Sequence, residues 1–124
     1  MTTREVAEKL VAYCRQGDFE SPYSELYSPE IVSVEPEGSP TPITRGFEEL
    51  MAKGKAFEEM VETMHGNEVS DPIVAENFFS CTMKMDVTFR GGPRTFMEEI
   101  CVYEVKDGKI VREQFFFTPQ MEEA

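Results

Sequence analysis

Glu35, His65, Glu99 and Glu113 are the side chains of this sequence whose type and setting could do chemistry. Each carboxylate stands in apolar company. Glu35 closes the run Ile31-Val32-Ser33-Val34 just before Pro36, at a proline-broken strand end. Glu99 falls on the same alternating face as Met97, Cys101, Tyr103 and Val105, an odd charge on an apolar strand side. Glu113 alternates with Val111, Phe115 and Phe117, and parity alone leaves open whether that face or the one carrying Arg112, Gln114 and Phe116 turns inward. A carboxyl drawn into an apolar recess resists ionisation, and like-charged neighbours push its pKa up further. A value near neutrality is what a general acid or base needs. His65 could shuttle a proton or keep a carboxylate ionised. Each residue also has a plainer reading: a solvated strand end for Glu35, a surface group for His65, a cross-sheet ion pair for Glu99 or Glu113.

The elements that must position these groups follow from periodicity. Thr2-x-x-Glu5 has the form of a capping box, and Val6, Leu10, Tyr13 and Cys14 recur at helical spacing until Gly17 stops the helix. Ser21-Pro22 opens a second, short helix, YSELY, which ends near Ser28 ahead of Pro29. Ile31 to Val34 form a short strand, and a loop with Pro36, Gly38, Pro40 and Pro42 leads to the third helix. Its apolar stripe is Phe47, Leu50, Met51, Phe57, Met60 and Val61. Gly54 inside it costs ~1 kcal/mol against alanine, which implies a close backbone neighbour or a bend. After Thr63 the period falls to two. A first strand spans about 64–74. Phe79 to Phe89 alternates strictly, Gly91-Gly92-Pro93 turns it into 95–105, and Asp107-Gly108 turns again into 109–117. Residues 121–124 read as a frayed tail. A long antiparallel meander must hide one face, and three helices laid across it would do so. If the sheet curves, it parts from the helices at one end and leaves an opening.

Composition narrows the partners. The 124 residues suit a single domain, 1–124. Ten Phe and four Tyr support a folded core. A formal charge of −12 argues against nucleic acid, whose binding requires Lys and Arg against phosphates, and against anionic membranes. No apolar run approaches the ~18 residues of a membrane span, and the N-terminus lacks a signal-peptide pattern, so a cytoplasmic location is expected. Cys14, Cys81 and Cys101 are odd in number and widely spaced, with one histidine in the chain. Reduced thiols, no metal site and no cofactor are the expectation.

The RQGDF turn after helix one, YSPEIVSVEPEG, ITRGFEELM at the start of helix three and VYEVKDGKIVREQFFF come in this order and spacing. Together they resemble the SnoaL-like branch of the nuclear transport factor 2-like superfamily over nearly the whole chain. The resemblance implies an α+β cone: a curved antiparallel sheet with three N-terminal-side helices, as in the cystatin-like roll. It also implies a pocket between sheet and helices, and a homodimer through the outer sheet face around Ile100, Val102 and Phe116. Because the superfamily hosts enzymes and plain binding domains alike, the fold fixes no activity. Ketosteroid isomerases, which are related, use an Asp base and an oxyanion hole of a Tyr and a protonated Asp. VEPEGS matches the context of that base and puts Glu35 in its place, but the tyrosine position falls on Leu10 and the second Asp position on Cys101. Neither can donate the hydrogen bonds an enolate needs. SnoaL-type polyketide cyclases carry an acid/base carboxylate on the last strand, which here is Glu113.

Two functions follow from these residues. In one, a pocket lined by Glu99, Cys101, Tyr103, Phe115 and Tyr13 binds a hydrophobic carbonyl compound. Glu35 or Glu113, assisted by His65, then moves a proton in isomerase- or cyclase-type chemistry. In the other, the same fold binds a ligand or a partner without turnover. The methionines 51, 60, 64, 83, 85 and 97 suit either an adaptable pocket or an irregular core.

Overall fold

The computed structural model describes residues 1–119; the tail expected at 121–124 lies outside the described residues. Ten elements follow one another: helix α1 (Thr3–Arg15), helix α2 (Ser21–Glu25), strands β1 (Tyr27–Val34) and β2 (Ile43–Arg45), and helix α3 (Phe47–Met60). Strands β3 (Val61–Val69), β4 (Ile73–Ala75), β5 (Phe78–Phe89), β6 (Arg94–Lys106) and β7 (Lys109–Phe116) complete the chain. Among the described residues, no helix is long and apolar enough to cross a membrane.

Local chemistry accounts for the boundaries. The Thr2–Glu5 capping box is formed in both directions. Gly17 leaves α1 with φ +75, a left-handed conformation that glycine adopts without a Cβ penalty. Ahead of α2 the Asp18 carboxylate fixes the approach of the chain: it accepts from the Ser21 backbone N–H at 3.0 Å and from the Ser21 hydroxyl at 2.5 Å. At the β6–β7 turn Asp107 and Gly108 both take positive φ, 52 and 74, the combination that joins strands of right-handed twist.

The sheet runs β2-β1-β7-β6-β5-β3, with β4 paired to β5. It is mixed rather than wholly antiparallel, because β1 lies parallel to β7. β1 begins at Tyr27, four residues before the strand expected from Ile31, since the short helix stops at Glu25. β2 also lies within what reads as the end of a proline-rich loop. One row of side chains can be followed across five strands: Thr44, Ser33, Glu113, Tyr103 and Phe79 are paired in register from β2 to β5. The next row holds Cys101, Phe115 and Cys81, and the one after it Glu99 and Met83.

These rows face the helices. Val6, Ala7, Leu10 and Val11 of α1 join Ile31, Phe79, Cys81, Cys101, Tyr103 and Ile110 in one buried core. Helix α3 contributes Leu50 alone as a buried residue; Met51 and Met60 of its expected stripe are exposed, and Phe57 meets Phe89 edge-on at 6.0 Å. The covering is therefore uneven. Along β6, Val105, Tyr103 and Cys101 are buried, whereas Glu99, Met97 and Thr95 on the same face are only half-buried.

Gly54 of α3 has its reason in Tyr23, a side chain rather than a backbone. A Cβ at position 54 would lie 2.9 Å from the Tyr23 Oη. Gly54→Ala should therefore fail to raise stability, although alanine is favoured in helices by about 1 kcal/mol. In a Tyr23→Phe background, where the hydroxyl is gone, the same change should stabilise the protein. Urea unfolding of the four proteins of that cycle measures the difference.

Candidate functional site

Glu113 is the centre of the site. It sits in the middle of β7, 3 % exposed, and each carboxyl oxygen has a donor. Tyr27 Oη donates to Oε2 at 2.5 Å and Ser33 Oγ to Oε1 at 3.0 Å. Both donors come from β1, which the parallel pairing lays beside β7. Burial raises the Glu113 pKa, and the Tyr27 and Ser33 hydrogen bonds and the Lys53 charge oppose that rise. Tyr27 is held protonated by burial and by the facing Glu113 charge, so it remains a donor.

Two rows away along β6, Glu99 takes up the corresponding position at the less covered end. The two residues are separated by roughly 13 Å of strand, before their side chains lean. The Glu99 pKa is pushed up to about 7, chiefly by burial and further by the charges of Glu35 and Glu113; the thiol of Cys101 and the ammonium of Lys53 act the other way. Cys101 Sγ lies 3.8 Å from Glu99 Oε1.

Glu35 follows β1 on the parity of Ile31 and Ser33, which places it between the rows of Glu113 and Glu99. Its backbone N–H donates to the Pro42 carbonyl at 2.7 Å, fixing the strand end. Lys53, one turn after Leu50 on α3, reaches the Glu35 carboxylate at 2.9 Å. Lys53 and Glu35 are both largely shielded from water, with 28 % and 21 % of their side chains exposed.

The remaining sequence candidates divide. Tyr103 is buried, stacked on Phe79 at 4.7 Å and edge-on to Phe115 at 6.5 Å, directly beside Glu113 in register. Phe115 and Cys101 form the row between the two glutamates. Tyr13 is turned elsewhere, with its hydroxyl on Glu25 beside Lys9 at the junction of α1 and α2. His65 is exposed, and its Nε2 lies 2.7 Å from Thr88 Oγ1. Thr88 alternates with the fully buried Val87, so this contact is on the outer face of the sheet, away from Glu113. All three cysteines are unbridged and buried. Burial pushes Cys14 up to about 12. An open depression of about 490 Å³ is also remote, lined by Arg15, Asn67, Ser70, Thr82 and Lys84, outside the carboxylate rows.

Sequence reasoning missed Tyr27, Ser33, Thr44 and Lys53. The signal for Ser33 was present, since Ile31, Ser33 and Glu35 share one parity. Tyr27 was hidden because it reads as the end of a helix, and Lys53 because its role depends on the approach of α3 to β1.

The fold has known counterparts. No curated protein matches the sequence. A protein of Mesorhizobium loti, named as a candidate SnoaL-like polyketide cyclase and also, in brackets, a carbohydrate phosphatase, is 33% identical with a TM-score of 0.89; the match covers 94% of this chain and 100% of that one. IdmH of Streptomyces antibioticus, named as a candidate polyketide cyclase, is 20% identical with a TM-score of 0.71, covering 94% and 91%. A protein of unknown function with a cystatin-like fold from Xanthomonas campestris is 19% identical with a TM-score of 0.77, covering 94% and 90%. The SnoaL-like domain family matches residues 1–117, and with a third of its residues shared over the full length of a SnoaL-like relative, the chain belongs to that family.

Proposed function

We propose that this protein binds a small, hydrophobic carbonyl compound in the incompletely covered end of its cone and moves a proton on it. The observation that carries this reading is the inward, half-buried Glu99 with its pKa near neutrality, set among Met97, Met83 and Cys101. An exposed carboxylate would be a weak base, and a sealed one could not reach a ligand; Glu99 is neither. It takes a proton from the carbon next to the carbonyl and the electron pair moves to the carbonyl oxygen; return of the proton at another carbon completes an isomerisation, or the enolate carbon attacks a second carbonyl of the same molecule, whose oxygen takes the proton, and a ring is closed. Glu113, fixed by Tyr27 and Ser33, is the rigid polar floor of the same recess. Cys101, Tyr103 and Phe115 form the wall between them. Glu35 is engaged by Lys53, and His65 and Tyr13 take no part. The polyketide cyclase names of the relatives agree with carbonyl chemistry of this class. No metal or cofactor enters the scheme.

Binding without turnover is the second reading, favoured by the full hydrogen-bond complement on Glu113. Proton exchange separates the two. In deuterated water, β-tetralone should exchange its acidic C–H faster with the protein than in buffer, and Glu99→Gln should lower the rate by about 10²–10⁴-fold. Exchange at the buffer rate with retained β-tetralone binding would select the second reading.

The titration of Glu99 has an independent readout. Its folded pKa, about 7, exceeds the ordinary 4.5, so the folded state binds the proton more tightly than the unfolded chain. Its contribution to stability is fully present below pH 4.5 and is lost as pH rises toward 7. Thermal melts across that window should show a fall in Tm that Glu99→Gln reduces.

The outer sheet face supports a homodimer. Phe96, Ile100 and Phe116 are 73%, 51% and 49% exposed there, with Ile100 and Phe116 paired in register. Lys84, Arg94 and Arg112 alternate with Asp86, Glu98 and Glu104 around them, a mixture of signs that a two-fold axis can match with itself. Sedimentation equilibrium should give a dimer, and Ile100→Glu a monomer of unchanged fold.

A further inference from the structure

Cys81 and Cys101 are nucleophilic side chains that the scheme above leaves without a chemical task. They are register partners on β5 and β6, so both side chains leave the sheet on the same face. Directly opposed residues of an antiparallel pair have Cα atoms about 4.5–5.5 Å apart, inside the span of about 4.4–6.8 Å that a disulfide requires. The two thiols already touch, hydrogen-bonded to each other. On one side their row is closed by Phe79 stacked on Tyr103 at 4.7 Å. On the other stand Met83 and Glu99, and Cys101 Sγ lies 3.8 Å from Glu99 Oε1. Glu99 is half-buried, so a single side chain separates the thiols from the recess. Cys14, the third thiol, belongs to α1 and lies outside this register pair.

We infer that Cys81 and Cys101 are a dithiol site, which a small hydroperoxide entering through the recess closes into a cross-strand disulfide. The Cys81 thiolate attacks one peroxide oxygen, the O–O bond breaks and hydroxide leaves, so that Cys81 becomes a sulfenic acid. Cys101 then attacks that sulfur, the S–O bond breaks, and water leaves with the Cys101 proton. The hydroxide takes up the proton that Cys81 gave. Two thiols and one hydrogen peroxide become one disulfide and two waters, and two electrons pass from sulfur to oxygen. The hydrogen bond from Cys101 lowers the Cys81 pKa against burial and the Glu99 charge, and Cys101 holds its own proton more tightly in return. Cys14 has no such help and stays protonated. Closure also removes the Cys101 S–H, which holds the Glu99 pKa down, and takes Cys81 of β5 out of the titration. Burial, Glu35 from β1 and Glu113 from β7 continue to raise Glu99, and Lys53 from α3 opposes them. Oxidation therefore pushes Glu99 toward its protonated form and withdraws it as a base. This second consequence rests on the acid–base reading above; the disulfide does not.

Thiol counting with peptide mapping tests the site. Native protein treated with a small excess of hydrogen peroxide, then unfolded and alkylated, should have lost two of its three free thiols. Residues 81 and 101 should be recovered as one linked pair, and dithiothreitol should restore both thiols. Cys81→Ala and Cys101→Ala should each prevent the link, and Cys14→Ala should leave it intact. Should either of the first two fail to fold, mapping of the wild type and of Cys14→Ala decides the matter. Three thiols surviving the treatment, a link through Cys14, or closure only in urea overturns the proposal. The effect on Glu99 is read separately, by melts of the oxidised protein against oxidised Glu99→Gln. The pH range over which Tm falls should extend upward by about half a unit, and β-tetralone exchange near neutral pH should drop and return with dithiothreitol. A disulfide with that range unmoved overturns the coupling to Glu99 and leaves the dithiol site standing. Absence of β-tetralone exchange in the reduced protein overturns the acid–base reading without touching the thiol count.

Discussion

A carboxyl group at the centre of a sheet has to be answered by donors, and the hydroxyls of Tyr27 and Ser33 answer Glu113. Both lie on β1, so the requirement is also a constraint on topology: β1 must lie against β7, and in a register that brings Ser33 beside Glu113. A one-residue slip would turn Ser33 away and put Val32 or Val34 against the carboxylate. The parallel strand therefore does more than extend the sheet. It provides hydrogen-bond donors to Glu113, the one buried acidic residue among the described residues, and it carries Glu35 to its place beyond Ser33.

The site inherits its order from those rows. Thr44, Ser33, Glu113 and Tyr103 are aligned across four strands, and the wall of Phe115 and Cys101 separates them from Glu99. The sheet fixes the rows and α1 seals one end of them, which leaves Glu99 at the less covered end. Helix α3 is the element that makes this possible. With Leu50 as its single buried residue, it is anchored lightly, and Lys53 one turn further on is free to serve the carboxylates instead of the core.

Much of this was legible in the sequence, and the losses have physical causes. The long strands β5, β6 and β7 alternate so regularly that their extents and the turns at Gly91-Gly92 and Asp107-Gly108 follow from period alone. The inward turn of Glu113 did not, because Phe115 and Phe116 give both faces of β7 an aromatic residue; pairing with Tyr103 decides it. Tyr27 was lost because a tyrosine after Ser-Glu-Leu suits a helix end as well as a strand start, and only contact with β7 separates the two. The parallel pairing itself joins residues some eighty positions apart and leaves no local mark. His65 is a different case. A sole histidine invites a catalytic reading, yet its strand places it with Thr88 on the outer face, where ordinary cross-strand hydrogen bonding accounts for it.

The cluster is expensive for the fold, and that bears on its meaning. Methionine in place of Glu99 would pack against Met83 and Met97 with no charge to desolvate, and valine in place of Thr44 would leave no hydroxyl unpaired. Net charge is already −12, so solubility does not call for one more carboxylate inside the cone. Elsewhere the chain follows local rules closely: its first helix is capped, its hairpins have the residues their turns require, and its core is apolar. Departures from such consistency concentrate where a protein acts on something other than itself. Here Glu99, a carboxyl whose pKa burial pushes up to about 7, the Glu35–Lys53 ion pair drawn largely out of water, and the buried, unpaired Thr44 hydroxyl all depart from it.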